Sequence, residues 1–227
     1  MARKPAFKPA AQYQITRLET VRILADPLRL RLIEVMATRL DEPWTVKELA
    51  RTLGEPTTKL YYHVNLLEEH GILVVTGSRV VSGIVEKRYQ VVAGQIGIDR
   101  TILSATDSGV DEALHGILST LFATAEQDIQ AAVRSGIASL HGGHDADERE
   151  PVILSKSVDR LSPARATEFR ERLRALIAEF EPGAGSAERS PDDRLYGLVL
   201  AFYPMAEVAA TTTARARTRT SAKETSR

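Results

Sequence analysis

The stretch from Trp44 to Gly71 constrains the fold more than any other part of the chain. Thr45-Val-Lys-Glu48 is a capping box, in which a hydroxyl and a carboxylate three residues apart satisfy each other's orphan main-chain donors at a helix start. Trp44 before the cap and Leu49 at the fourth helical position form a hydrophobic staple. This helix ends near Leu53-Gly54, and another begins at Pro56 and runs to His70-Gly71. Two short helices joined by a tight Gly-containing turn make a helix-turn-helix.

The flanks extend the pattern. Ile15, Leu18, Val21 and Leu24 sit at helical spacing in a short first helix. Asp26-Pro27 restarts the chain, Asp as N-cap and Pro at the first helical position, and Leu28, Leu32, Val35 and Met36 give the second helix its apolar stripe. After Gly71 the period switches to two. Ile72 to Thr76 and Ile84 to Val92 are β-rich, with turn signals at Gly77-Ser78 and Ser82-Gly83. This hairpin is a wing, with Arg79 near its tip and Lys87-Arg88 on its return strand.

A helical wheel of the fourth helix, at about 100° per residue, puts Leu60, Val64 and Leu67 on one side. Thr58, Tyr62 and Asn65 fall opposite, with Lys59 flanking. Hydroxyls, an amide and a cation are the groups that base edges and phosphates require. A polar solvated face is the plainer alternative. Tyr61 is as compatible with core-edge packing as with DNA contact, and His63 lies toward the core. Arg79, Lys87 and Arg88 are either solvated wing residues or backbone contacts.

Three ordered blocks, Leu24-Ala-Asp-Pro-Leu-Arg-Leu-Arg-Leu-Ile, Thr45-Val-Lys-Glu-Leu-Ala and Lys59-Leu-Tyr-Tyr-His-Val-Asn-Leu-Leu-Glu-Glu-His-Gly-Ile-Leu, resemble the ArsR-type winged helix-turn-helix transcriptional regulators. The resemblance covers residues 16–93. It implies a dimeric DNA-binding regulator, commonly a repressor released by a ligand. It also implies that Thr57, Thr58, Lys59, Tyr61 and Tyr62 occupy groove-facing positions. The chain departs from the metal-sensing members of that family. It has no cysteine, and the helix that would hold a thiolate pair reads Glu48-Leu-Ala-Arg-Thr-Leu. Asp111 and His115 stand one turn apart with nothing nearby to complete a four-coordinate set. His141-Gly-Gly-His144 reads as a solvated loop. No metal or cofactor is expected.

The second half is acidic. From Gly109 to Leu140 apolar residues recur at helical period in a stripe too wide for one partner, which predicts a long helix shared with a second copy. Val152–Val158 and Leu195–Tyr203 read as strands around a helix that Ser162-Pro163 starts and whose apolar stripe is Phe169, Leu173, Leu176, Ile177 and Phe180, a small strand–helix–strand module. His115, Phe122, Tyr196, Phe202 and Tyr203 are candidates to line an effector pocket there, with plain core packing as the alternative for each. The expected fold class is mainly α with a β-wing: a winged helix-turn-helix, a long dimerisation helix, then the α/β module. The expected division is a flexible basic arm over 1–15, the DNA-binding domain over 16–93, a dimerisation and possible effector domain over 94–205, and a disordered basic tail over 206–227.

Charge supports this division. Thirty basic residues balance thirty acidic ones, yet residues 1–92 carry +4, 93–205 carry −7 and 206–227 carry +3. Overall neutrality therefore does not exclude a nucleic-acid partner. No apolar run is long enough to cross a bilayer, no secretory leader is evident, and a cytoplasmic protein is the expectation. Gly-x-Ser-x-Gly, His-Glu-x-x-His and P-loop patterns are missing, so no enzyme is expected. The leading expectation is a homodimeric, sequence-specific regulator on an inverted repeat of double-stranded DNA, with a possible small-molecule effector. The alternative is a winged-helix protein-interaction module.

Overall fold

The computed structural model describes residues 7–103, 108–140, 150–180 and 194–205. The residues of the basic tail, the first six of the basic arm, and His141 to His144 lie outside them. The N-terminal half runs β1 (Ala10–Ile15), α1 (Leu18–Leu24), α2 (Pro27–Ala37), α3 (Val46–Leu53), α4 (Thr57–Glu69), β2 (Leu73–Val81), β3 (Ile84–Val91) and β4 (Ala93–Ile98). A short α5 (Arg100–Leu103) and a long α6 (Ser108–Arg134) follow, then β5 (Ala138–Ser139), β6 (Glu150–Pro151) and α7 (Pro163–Phe180).

Helices α2 and α3 each begin at a side-chain cap. The Asp26 carboxylate accepts the Arg29 amide at 3.0 Å and caps α2, with Pro27 in the first turn. At α3 the capping box is complete. The Glu48 amide donates to the Thr45 hydroxyl at 3.2 Å, and the Thr45 amide donates to the Glu48 carboxylate at 2.7 Å. Gly54 ends α3 at φ 68°, a left-handed conformation in which a Cβ would be strained. That geometry lets α4 start only two residues on. Leu49, Leu60, Val64 and Leu67 are fully buried with Leu32, Met36 and Tyr89, so one core unites α2, α3, α4 and the hairpin.

The wing is an antiparallel hairpin turned by Ser82 (φ 53°) and Gly83 (φ 78°). Strand β2 continues through Gly77-Ser78, where the sequence suggests a turn, because a register shift between Val75 and Gly77 absorbs one extra residue. The base of the wing is fixed by a reciprocal main-chain pair between Trp44 and Tyr89, both at 2.8 Å.

Two parts differ from the sequence reading. Residues 10–15 form β1 and pair in parallel with β4, so part of the expected arm is ordered, and the expected boundary after residue 93 is crossed by a sheet. Ile15, expected within the first helix, is the buried end of β1. Among the described residues the predicted strands over 152–158 and 195–203 have no ladder, although the helix between them is present as α7.

Helix α6 is about 40 Å long at 1.5 Å per residue. One narrow stripe, Val110, Ala113, Ile117, Thr120 and Thr124, is buried by its own chain. Gly116 permits this approach to the end of α1, since a Cβ there would stand 3.1 Å from the Cβ of Ala25. The Thr120 hydroxyl donates to the Ala25 carbonyl at 3.1 Å, and Arg31 of α2 pairs with Asp128. Among the described residues no helix is long and apolar enough to cross a membrane.

Candidate nucleic-acid interface

Helix α4 is anchored by its apolar side and presents the other. Thr58, Lys59, Tyr61, Tyr62 and Asn65 are exposed, and Thr57 is half-buried in the first turn. Tyr62 is 63% exposed, with its ring edge-on to His63 at a centroid distance of 5.2 Å. His63 itself packs into the core side. Burial pushes its imidazole below the ordinary value, opposed by the Asp26 carboxylate 3.7 Å away. The two groups of residues thus divide between anchoring and display, and the displayed group is the one that the wheel separates together with Tyr61, which the wheel left open.

The wing cations are less available than their spacing suggests. The Arg79 guanidinium donates to Glu86 at 2.6 Å, and Lys47 of α3 reaches the other oxygen of that carboxylate at 3.4 Å. Arg79, with Lys47, holds the Glu86 carboxyl below the usual carboxylate range. Lys87 donates to both oxygens of Glu68 on α4, at 2.9 and 3.1 Å. Arg88 is half-buried. Lys59 is exposed but donates to Glu55 at 3.0 Å, one helical turn back.

These pairs bolt the wing to the helices. Glu86 ties β3 to β2 and α3, and Glu68 ties α4 to β3. Glu68 also lies beside the buried Tyr89 hydroxyl, whose pKa is pushed up to about 12, chiefly by burial. Glu55, Glu68 and Glu86 therefore belong to the candidate interface, although the sequence reading did not single them out. The i,i+4 spacing of Glu55 and Lys59 is a legible signal; the contacts of Glu68 and Glu86 depend on the hairpin register. Arg51 is a second addition. It is exposed in the last turn of α3, beside the turn into α4, and has no ion pair among the described residues.

The end of the wing is apolar. Val80 faces Val85 and Val81 faces Ile84 across the hairpin, and all four are exposed. No cation stands at the turn itself.

The five candidate effector residues are all exposed. His115 and Phe122 lie on α6, and Tyr196, Phe202 and Tyr203 lie in the C-terminal segment. Phe202 stacks on Phe169 of α7 at 4.9 Å. An open groove of about 600 Å³ along α7 is lined by Leu161, Phe169, Leu173 and Leu176 with Arg165 and Arg172, and by none of the five.

Among the described residues no group of three or more potential ligands could hold a metal ion. No curated protein matches the chain. Residues 24–76, from the end of α1 through both helices of the motif into the first strand of the wing, match the family model described as a helix-turn-helix domain.

Proposed function

We propose that this chain is a sequence-specific DNA-binding transcriptional regulator. The observation that carries the reading is the displayed face of α4. Thr58, Lys59, Tyr62 and Asn65 stand exposed on a helix whose opposite side is locked into the core, within a matched helix-turn-helix domain. Such a helix fits the major groove, with the tyrosine, hydroxyl and amide toward base edges. Arg51 and Lys59 are the cations best placed to approach the flanking phosphates.

The finer reading is a homodimeric, cytoplasmic, non-enzymatic repressor of ArsR type, released by a ligand and acting on an inverted repeat. Helix α6 supports the dimer. Leu118, Leu121, Phe122 and Ile129 form a second apolar stripe beside the one its own chain buries, and the first three are exposed. Two recognition helices related by a two-fold axis would enter successive major grooves about 34 Å apart.

Selection of bound fragments from a random duplex library, followed by fluorescence titration, tests this reading. The expected result is an inverted-repeat consensus, affinity that falls steeply with salt, and weaker binding to all sequences in Lys59→Ala and Arg51→Ala. The apolar wing end favours a second reading, a winged-helix protein-interaction module. Failure to bind any duplex at low salt would support that reading over the first.

A further inference from the structure

Most cations of the candidate interface are tied to carboxylates. Six cationic side chains stand on α3, α4 and the wing, and four of them, Lys47, Lys59, Arg79 and Lys87, each pair with a glutamate. The pairs share one arrangement. The cation is always the more exposed member: the Lys47 and Arg79 side chains are 59% and 54% exposed against 8% for Glu86. Lys59 and Lys87, about half exposed, stand over the more covered Glu55 and Glu68. Exposed ion pairs add little to stability, and a surface that meets a polyanion binds it more tightly without negative charges. Folding and affinity alone therefore do not account for three carboxylates here.

We propose that Glu55, Glu68 and Glu86 determine specificity, by holding these cations in place and cancelling their field so that duplex of arbitrary sequence is bound weakly. This deepens the DNA-binding reading and rests on it. The cations keep capacity for phosphate. An ammonium has three donors, and the one hydrogen bond from Lys59 goes to Glu55; Arg79 meets Glu86 through Nε. A phosphate oxygen can be taken without leaving the carboxylate.

Two consequences separate an operator from other duplex. The first is geometric. Glu86 on β3 joins β2 to α3, and Glu68 on α4 joins the helix to β3, so the pairs fix the wing relative to α4. A specific complex needs both elements in one register on the duplex, whereas a non-specific complex does not. The second is electrostatic. A freed lysine or arginine follows whichever phosphate is near and strengthens binding to any sequence. On the operator the added attraction is offset by the entropy of ordering that side chain again.

Anisotropy titration of the full chain tests the proposal, with the duplex selected from the random library and a scrambled duplex of equal length, across a range of salt. The variants are Glu55→Gln, Glu68→Gln and Glu86→Gln, singly and together. A unit negative charge about 6–7 Å from a phosphate weakens binding roughly threefold in dilute salt. Affinity for the scrambled duplex should therefore rise about threefold in each single variant and about 10- to 30-fold in the triple variant. Affinity for the selected duplex should change by less than about twofold, so the specificity ratio falls by similar factors. The gain should shrink as salt rises, which a purely structural brace would not produce.

Glu69→Gln is the control. Glu69 is exposed on α4, two turns beyond Tyr62, and pairs with no cation among the described residues. Its removal should strengthen binding to both duplexes alike and leave the ratio unchanged. Glu86 is buried, so if its variant melts early, Glu55→Gln/Glu68→Gln carries the test. A ratio within about twofold of wild type in that double variant would overturn the proposal, as would an equal fall in Glu69→Gln. In both cases the selected duplex is still bound and the DNA-binding reading stands. A wild-type chain that binds no duplex, or all duplexes alike, would overturn that reading and this proposal with it.

Discussion

Replacing Thr45 by Ala isolates the device that starts α3, the first helix of the helix-turn-helix. Thr45 is 2% exposed, so water does not readily take over its lost contacts. The hydroxyl accepts the Glu48 amide at 3.2 Å and donates to the Glu48 carboxylate at 2.8 Å; both bonds go. The Thr45 amide still donates to Glu48 at 2.7 Å. Loss of an N-cap costs about 0.5–2 kcal/mol, and burial puts this one in the upper half, about 1–2 kcal/mol. Trp44 is the chain's one tryptophan and is buried beneath Arg39 at 3.7 Å, so its fluorescence reports unfolding of this helix. In urea, with a slope of about 2 kcal/mol per molar, the midpoint should fall by about 0.5–1 M. Glu48→Ala removes the other half of the same box, so the double variant should cost about 0.5–1 kcal/mol less than the sum of the singles. The pH dependence has a definite sign. The Thr45 amide, aided by its hydroxyl, holds the Glu48 carboxyl below its ordinary value, so its stabilisation is complete above about pH 5 and is lost as pH falls through the carboxylate range. Glu48→Gln should flatten that acid limb. A Thr45→Ala midpoint within about 0.1 M of wild type, or strictly additive singles, would refute the reasoning.

Other expectations follow from the same contacts. The Tyr89 phenol titrates near pH 12 when folded, so its contribution is intact below pH 10 and lost above it; Tyr89→Phe should flatten the alkaline unfolding limb of wild type. Glu55→Gln frees Lys59 from its pair and should raise affinity for non-operator duplex several-fold at low salt, measured by anisotropy; unchanged affinity would place Lys59 away from the DNA. Gly116→Leu should push α6 away from Ala25 and lower the melting temperature by several degrees, as measured calorimetrically.

The reading head was legible because its signals are local. The capping box, the Pro and Gly punctuation and the apolar stripe of α4 each lie within a few residues, and the structure realises them as α2, α3 and α4. The pairing of β1 with β4 was not legible. Gln12-Tyr-Gln-Ile15 and Gln95-Ile-Gly-Ile98 alternate over only four residues each, and their contact closes a loop of some eighty residues. The wing cations were placed on the right strands, but their partners come from register and from α3 and α4, which spacing along the chain does not give. Over 152–158 and 195–203 the β-rich composition is real, while no ladder forms there among the described residues. Strand preference measures fitness for a pleated, half-buried surface, and the described residues offer these segments none.

The central claim is that the exposed face of α4 reads DNA, and Tyr62 separates that claim from folding. Its ring is 63% exposed, so Tyr62→Ala should change stability by no more than about 0.5 kcal/mol. Operator titration of this variant, against wild type and a scrambled duplex at the same salt, is the most direct measurement. The account predicts a loss of about 1–3 kcal/mol on the operator, roughly 5- to 150-fold, and much less on the scrambled duplex. An operator affinity equal to wild type in a folded Tyr62→Ala would contradict it.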